Sequence, residues 1–203
     1  MKVILISGQQ GSGKSALVSG LIDGLKSVTN VGIFKNTPYF PIVEKFSFAD
    51  VAYECHDSVI NVLGNYGIDT KQKEKELVRD IAEWAKERFY KEIWADAAKK
   101  KINKIADFFP DKNIIFLNDD LRFKYEFEAI EGIKIRLECS EEIRKERCGE
   151  NWRKETGHIS EVDLNDWVHK FDLVIHTDNL TKEETLTKAV EFLNERISYR
   201  ARA

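Results

Sequence analysis

The chain has 203 residues, long enough for one domain with a full core, and its charged (33%) and apolar (42%) fractions are those of an ordinary globular protein. With 32 basic against 35 acidic residues the net charge is −3. That excludes a protein gripping nucleic acid through a general basic bias, although a local basic face stays open.

The three cysteines, Cys55, Cys139 and Cys148, form no CxxC pair and suggest no metal site. The first apolar run is too short for a signal peptide or a membrane span, so a cytoplasmic protein with reduced thiols and no membrane partner is expected.

Residues 3–7 (VILIS) are a continuous apolar run, as in a parallel strand covered on both faces. Glycines follow, then Leu17, Val18, Leu21, Ile22 and Leu25 at helical spacing predict a helix from about Lys14 to Lys26. Val31–Phe34 reads as the second strand and leads into a loop with Pro38 and Pro41. Helical patterns then run from Ser47 to about Leu63, from Asp69 or Thr70 through Leu77, Ile81 and Trp84, and on through Trp94, Ala98, Ile102, Ile105 and Phe109. Trp84 and Trp94 read first as core residues.

NIIFLN at 113–118 is the third strand, Leu121–Glu131 a helix, and Ile133–Glu138 the fourth strand. A charged helix starts at Glu141, residues 149–162 form a polar loop, Asp172–His176 is the last strand, and Thr181 begins the terminal helix. Strands alternating with helices predict a single α/β domain over 1–203 with right-handed crossovers. Residues 36–110 would form a helical acceptor-binding subregion and 140–162 a lid.

Gly8-x-x-x-x-Gly13-Lys14-Ser15 matches the P-loop pattern GxxxxGK[ST] in full, between an apolar strand and an amphipathic helix. Gly8, Gly11 and Gly13 let backbone N–H groups approach phosphate, and Ser12 and Ala16 belong to the same turn into the helix. The helix N-terminus adds its positive dipole end, Lys14 reaches the β- and γ-phosphates, and Ser15 can ligate Mg²⁺. The chemistry implied is binding of a nucleoside triphosphate with Mg²⁺.

Asp119 and Asp120 close the third strand, where a carboxylate can serve Mg²⁺ or a second substrate; Asp119 is equally well read as a helix cap. Arg144, Arg147 and Arg153 follow the fourth strand. They are either lid arginines for phosphoryl charge or the basic half of a solvated helix, EEIRKERCGE. Lys35, at the end of the Val31–Phe34 run, points to the sheet's carboxyl edge and a second substrate.

Together these segments resemble the phage-type deoxynucleoside monophosphate kinases and, more distantly, animal-type phosphomevalonate kinases. The likeness is carried by Lys45-Phe-Ser-Phe-Ala-Asp50, by Arg79 with Trp94, by Asn118-Asp-Asp-Leu-Arg-Phe-Lys-Tyr-Glu126, by His158-x-Ser160-Glu161, and by Asp172 through Asn179. It implies a three-layer P-loop kinase fold with strand order 2-3-1-4-5, helices on both faces and a lid. It also implies ATP and Mg²⁺ as cofactors, and a nucleoside monophosphate as acceptor.

By that likeness Asp50, Arg79 and Trp94 would serve the acceptor, with Arg79 on its phosphate. Asp120 and Arg122 would contact the acceptor side, Arg144 and Arg147 would lie in the lid, and Thr177 to Asn179 would lie near adenine. The segment Ile81-Ala-Glu-Trp-Ala-Lys86 departs from the family's usual Leu-Gln…Gly-Thr element. A hydroxyl acceptor, such as a small metabolite or a hydroxymethylpyrimidine free or in DNA, is therefore the alternative. A nucleotide-dependent switch is a third reading, and either a monomer or a homodimer is compatible.

Overall fold

The structure is a computed structural model that describes residues 1–26, 41–68, 74–110, 113–152 and 159–199. Its elements are β1 (Lys2–Gly8), α1 (Lys14–Lys26), β2 (Ile42–Lys45), α2 (Asp50–Asn65), α3 (Glu74–Arg88), α4 (Ile93–Phe108), β3 (Ile114–Leu121), α5 (Lys124–Ala129), β4 (Ile133–Glu138), α6 (Glu141–Cys148), α7 (Ile159–Val162), β5 (Leu173–His176) and α8 (Lys182–Tyr199). The five strands form one sheet in the order β2-β3-β1-β4-β5, and every neighbouring pair is parallel. This is the predicted α/β fold and strand order.

Strand periodicity sorts the core. Ile4 and Ile6 of β1, with Ile115 and Leu117 of β3, face α1 and α8 and pack on Leu17, Leu21, Ala189 and Leu193. Val3 and Leu5, with Ile114 and Phe116, face the other way, onto Ala95, Ala98 and Ile102 of α4 and onto Ile130, Leu164 and Phe171. Because both faces are covered, β1 reads as an unbroken apolar run rather than an alternating one.

The edge strand differs from the sequence expectation. Val31–Phe34 lies outside the described residues, as does Lys35, and the strand beside β3 is Ile42–Lys45. Its signal is weak because only two of its four residues are apolar and Glu44 and Lys45 are exposed, as suits a short edge. β3 also runs further than expected, through Asp119 and Asp120 to Leu121, which is buried and pairs with Ser7. The helix expected over Leu121–Glu131 is accordingly only Lys124–Ala129.

Helices α2, α3 and α4 gather around a small core of Ala52, Val78, Ala85 and Trp94. Trp84, expected inside, is 58% exposed and meets the Phe89 ring edge-on instead. No helix among the described residues is long and apolar enough to cross a membrane.

Candidate functional site

The turn from β1 into α1 is a cradle. Gly8 and Gly11 have φ of +152° and +79°, a region that disfavours any side chain. Space forbids one too. A Cβ on Gly8 would meet the Leu137 carbonyl at 2.7 Å, and one on Gly11 would meet the Arg144 carbonyl at 2.8 Å. The cradle is thus pressed against β4 and α6 by backbone atoms that cannot yield.

Lys14 folds back over the turn and donates to the carbonyls of Gly8 at 2.5 Å and Gln9 at 2.9 Å. Burial, helped by the nearby Arg122 guanidinium, lowers the Lys14 ammonium to about 8. Ser12 is buried; its carbonyl accepts from the Thr177 hydroxyl at 3.2 Å, while its own hydroxyl has no hydrogen-bond partner.

Two grooves open from this cradle. One, about 520 Å³, runs toward α8 and is lined by Gly13, Ser15 and Ala16 with Arg147, Thr177 and Thr185 among others. Arg147 lies along it, donating to the Thr177 carbonyl at 2.6 Å and hydroxyl at 3.1 Å. The predicted neighbour Asn179 is exposed and does not line it.

The second groove, about 760 Å³, runs toward the end of β3 and brings Asp119, Asp120, Arg122 and Arg144 together with Gln10 and Glu161. The two grooves share Gly11, Lys14 and Ser15.

A register slip builds the second groove. Leu5 pairs with Asn118 but Ser7 pairs with Leu121, so β3 carries one extra residue at Asp119–Asp120. Such a bulge turns side chains out of the sheet's alternation and is common beside functional sites. Both oxygens of Asp120 are held, one by the Ser47 hydroxyl and one by the Asn118 amide. Burial raises its carboxyl above the ordinary carboxylate range, while those two hydrogen bonds and Arg122 oppose the rise. Asp119 pairs with Lys45 at 3.0 Å.

Glu126, which the sequence reading left out of the site, is buried and accepts from the backbone N–H groups of Arg122 at 2.8 Å and Phe123 at 3.0 Å. It fixes the turn that presents Arg122. Burial pushes its carboxyl up to about 8.

The arginines separate by role. Arg144 is buried, donates to the carbonyls of Cys139 at 3.1 Å and Gln10 at 3.3 Å, and braces the cradle from behind. Its guanidinium also lies 5.4 Å from the Trp152 ring, whose own N–H is buried without a partner. Arg153 and His158 lie outside the described residues. So the expected 140–162 lid is described only as α6, the turn at Gly149–Asn151 with Trp152, and α7.

Three residues expected to serve a second substrate lie outside both grooves. Trp94 is 8% exposed and its indole N–H donates to the Ala82 carbonyl at 3.0 Å, so it is spent on packing. Asp50, at the start of α2, pairs with Lys101 at 3.2 Å. Arg79 is exposed on α3. Lys101 also pairs with Glu54 at 2.8 Å.

Ser15, exposed at the head of α1, and Asp119 line the same groove and fit a hard cation that keeps most of its ligands as water or phosphate. Among the described residues no cluster of three or more His, Cys, Asp or Glu could hold a metal by itself.

No family model matches the chain, and no curated protein matches it. Among solved structures it is similar to an unliganded sugar kinase from Janibacter sp. HTCC2649, at 20% identity over 96% of this chain and 95% of that one, with a TM-score of 0.38. A likeness that low carries no functional argument, and the fold rests on the sheet itself.

Proposed function

We propose that the protein is an ATP-dependent phosphotransferase that moves the γ-phosphoryl group to a (deoxy)nucleoside monophosphate, giving ADP and a nucleoside diphosphate. The observation that carries this reading is the meeting of two grooves at one glycine-rich cradle through Gly11, Lys14 and Ser15. A switch needs one nucleotide groove, whereas a transferase needs a donor and an acceptor facing each other across the phosphate.

The donor base would lie in the groove toward α8, beside Thr177 and Arg147, and the acceptor in the groove toward β3. Transfer would be in line, with the acceptor's phosphate oxygen attacking the γ-phosphorus and ADP leaving; no covalent intermediate on the protein is required. Lys14 and Arg122 would balance charge on the transferring oxygens. Asp120, held from both sides, would orient the acceptor. Ser15 and Asp119 would hold Mg²⁺, which when bound supplies charge neutralisation at the β- and γ-phosphates.

One observation favours a second reading. The groove toward β3 carries four carboxylates, Asp119, Asp120, Glu141 and Glu161, against three cations, Lys14, Arg122 and Arg144. An uncharged hydroxyl acceptor suits that balance better than a phosphate dianion, with Asp120 as proton acceptor. A hydroxymethylpyrimidine, free or in DNA, or a small metabolite would qualify.

Labelled ATP and Mg²⁺ offered with a panel of nucleoside monophosphates, nucleosides, and duplex DNA with or without hydroxymethyluracil separates the readings. Label in a monophosphate supports the first, and label in a nucleoside or in DNA supports the second. ATP hydrolysis without transfer to any of these would overturn the first reading and the nucleoside and DNA forms of the second. Lys14→Ala should abolish transfer whichever acceptor is used.

A further inference from the structure

Glu161 does something its place in the chain does not explain. It sits on α7, a helix of four residues, yet its Oε2 accepts from the backbone N–H of Gln10 in the cradle at 2.9 Å. Its Oε1 accepts from Arg122 Nη1 at 2.7 Å. The Glu161 carbonyl also takes the Gln9 side-chain amide at 3.3 Å. The carboxylate is near enough to Lys14 to favour that residue's ammonium form. A cradle amide and a guanidinium therefore converge on one carboxylate, with the Lys14 ammonium close enough to feel its charge, the arrangement that recognises a phosphoryl group.

The position matters as much as the chemistry. Gln10 belongs to the cradle, and Arg122 directly follows β3. Both, like Glu161, line the second groove, and Lys14, whose ammonium form Glu161 favours, lines both grooves, so a group touching Gln10 and Arg122 stands where the second groove meets the first.

Nor is Glu161 needed to hold its own segment down. Asp163 accepts from the backbone N–H of Lys124 at 2.8 Å, Asp166 pairs with the Lys124 ammonium at 2.7 Å, and Leu164 is buried in the core.

We infer that Glu161 is a stand-in for the phosphoryl group in transit, a specificity-determining carboxylate that occupies the transfer point and is displaced by the γ-phosphoryl of the donor. The inference rests on the phosphotransferase reading and adds a residue to it. While Glu161 is docked, Arg122 and the Gln10 amide are satisfied and the charge at the centre is balanced. A triphosphate must compete with it, and on doing so takes over both partners. A diphosphate, which ends short of the transfer point, has nothing to displace.

Glu161 therefore lowers affinity for ATP relative to ADP, and releases Arg122 only to a ligand that brings a phosphoryl group to that point. The Arg122 side chain is 39% exposed and that of Glu161 18%, so solvent screens the pair and the penalty is modest.

The test is calorimetric binding of a non-hydrolysable ATP analogue and of ADP, each with Mg²⁺, to the wild type and to Glu161→Gln. The expected result is tightening of the triphosphate by about threefold to tenfold with ADP unchanged, as for the loss of one competing charged hydrogen bond. Equal tightening of both ligands, no change in either, or weaker triphosphate binding would each overturn the inference. Glu161→Asp, too short to span Gln10 and Arg122, should tighten the triphosphate in the same direction and serves if the first variant does not fold. A wild type that binds neither nucleotide would instead bring down the phosphotransferase reading, which keeps the two failures apart.

Discussion

Arg147 and Thr177 are joined twice, through the Thr177 carbonyl at 2.6 Å and its hydroxyl at 3.1 Å, and the same hydroxyl reaches the Ser12 carbonyl at 3.2 Å. The bonds tie α6 to the end of β5 and to the cradle in one chain. They also aim Arg147 along the groove toward α8, whereas the Asp119–Asp120 end lines the other groove.

That geometry changes what an arginine in this segment is expected to do. From sequence, Arg147 reads as a group acting on transition-state charge. Its contacts make it a wall of the groove assigned to the nucleotide base. Arg147→Ala should raise KM for ATP by about tenfold, as for loss of one charged hydrogen bond, and lower kcat by less. Steady-state kinetics at saturating acceptor measure both. A fall in kcat with KM unchanged would mean that Arg147 leaves Thr177 when ATP binds.

Trp94 gives a prediction of the opposite kind. It is packed with Ala52, Val78 and Ala85 and its N–H is satisfied by Ala82. Trp94→Ala should destabilise the fold by about 3–5 kcal/mol, and Trp94→Phe by about 1–2 kcal/mol for the lost hydrogen bond and volume. Trp94→Phe should leave the acceptor KM unchanged. Urea unfolding with acceptor titrations reads both quantities, and a raised acceptor KM in a well-folded Trp94→Phe protein would return this residue to the site.

These two residues illustrate what the sequence made legible. The cradle was readable because phosphate geometry dictates the spacing of Gly8, Gly13, Lys14 and Ser15, and no tertiary information is needed. β1 and β3 were readable because burial on both faces makes them nearly continuous apolar runs, and β4 because Ile133, Ile135 and Leu137 alternate with polar residues. The edge strand Ile42–Lys45 was not, since burial on few sides leaves little pattern.

Trp84 and Trp94 are alike in sequence, each on a charged amphipathic helix, and only the packing of α2 against α3 and α4 separates a surface ring from a core ring. Glu161 closes the segment His158-x-Ser160-Glu161, but its partners lie 151 and 39 positions away. No local signal announces such a meeting. The extra residue in β3 at Asp119–Asp120 is likewise a matter of register with β1, invisible until the two strands are paired.

Glu126 carries a pH prediction. Burial holds its proton up to about pH 8, against an ordinary value of 4.5. Between those limits the folded protein binds more protons at this site than the unfolded chain, so stability falls as pH rises through the window. Glu126→Gln keeps an oxygen for the Arg122 and Phe123 amides but cannot ionise. Its stability relative to the wild type should improve progressively from about pH 4.5 to about pH 8 and then level off. Urea midpoints across that range supply the comparison, and parallel curves would mean that Glu126 titrates normally. Glu126→Ala, which strands two backbone N–H groups, should lose about 1–3 kcal/mol.

The last prediction concerns Asp120, where the bulge, the hydrogen bonds and the proposed chemistry meet. Ser47 and Asn118 each donate to one of its oxygens, leaving the carboxylate no freedom to rotate. Asp120→Asn keeps the shape but replaces one acceptor oxygen by a donor NH₂, which must then face either the Ser47 hydroxyl or the Asn118 amide. The Ser47 hydroxyl can turn to accept, so the fold should survive with a loss of about 1 kcal/mol.

Activity should suffer far more, because the negative charge beside the acceptor is gone. If Asp120 only orients a phosphate acceptor, kcat should fall by about tenfold to a hundredfold with little change in its pH profile. If Asp120 takes the proton of a hydroxyl acceptor, kcat should fall by about 10² to 10⁴ and the limb of the profile that reports ionisation of its raised carboxyl should disappear. Ser47→Ala distinguishes positioning from proton transfer a second way. It frees one oxygen of Asp120 without removing the charge, and by removing a bond that stabilises the carboxylate it should shift that limb to higher pH. Transfer rates followed across pH for the three proteins decide between a phosphate and a hydroxyl at the end of β3, and unchanged rates in Asp120→Asn would remove Asp120 from the site altogether.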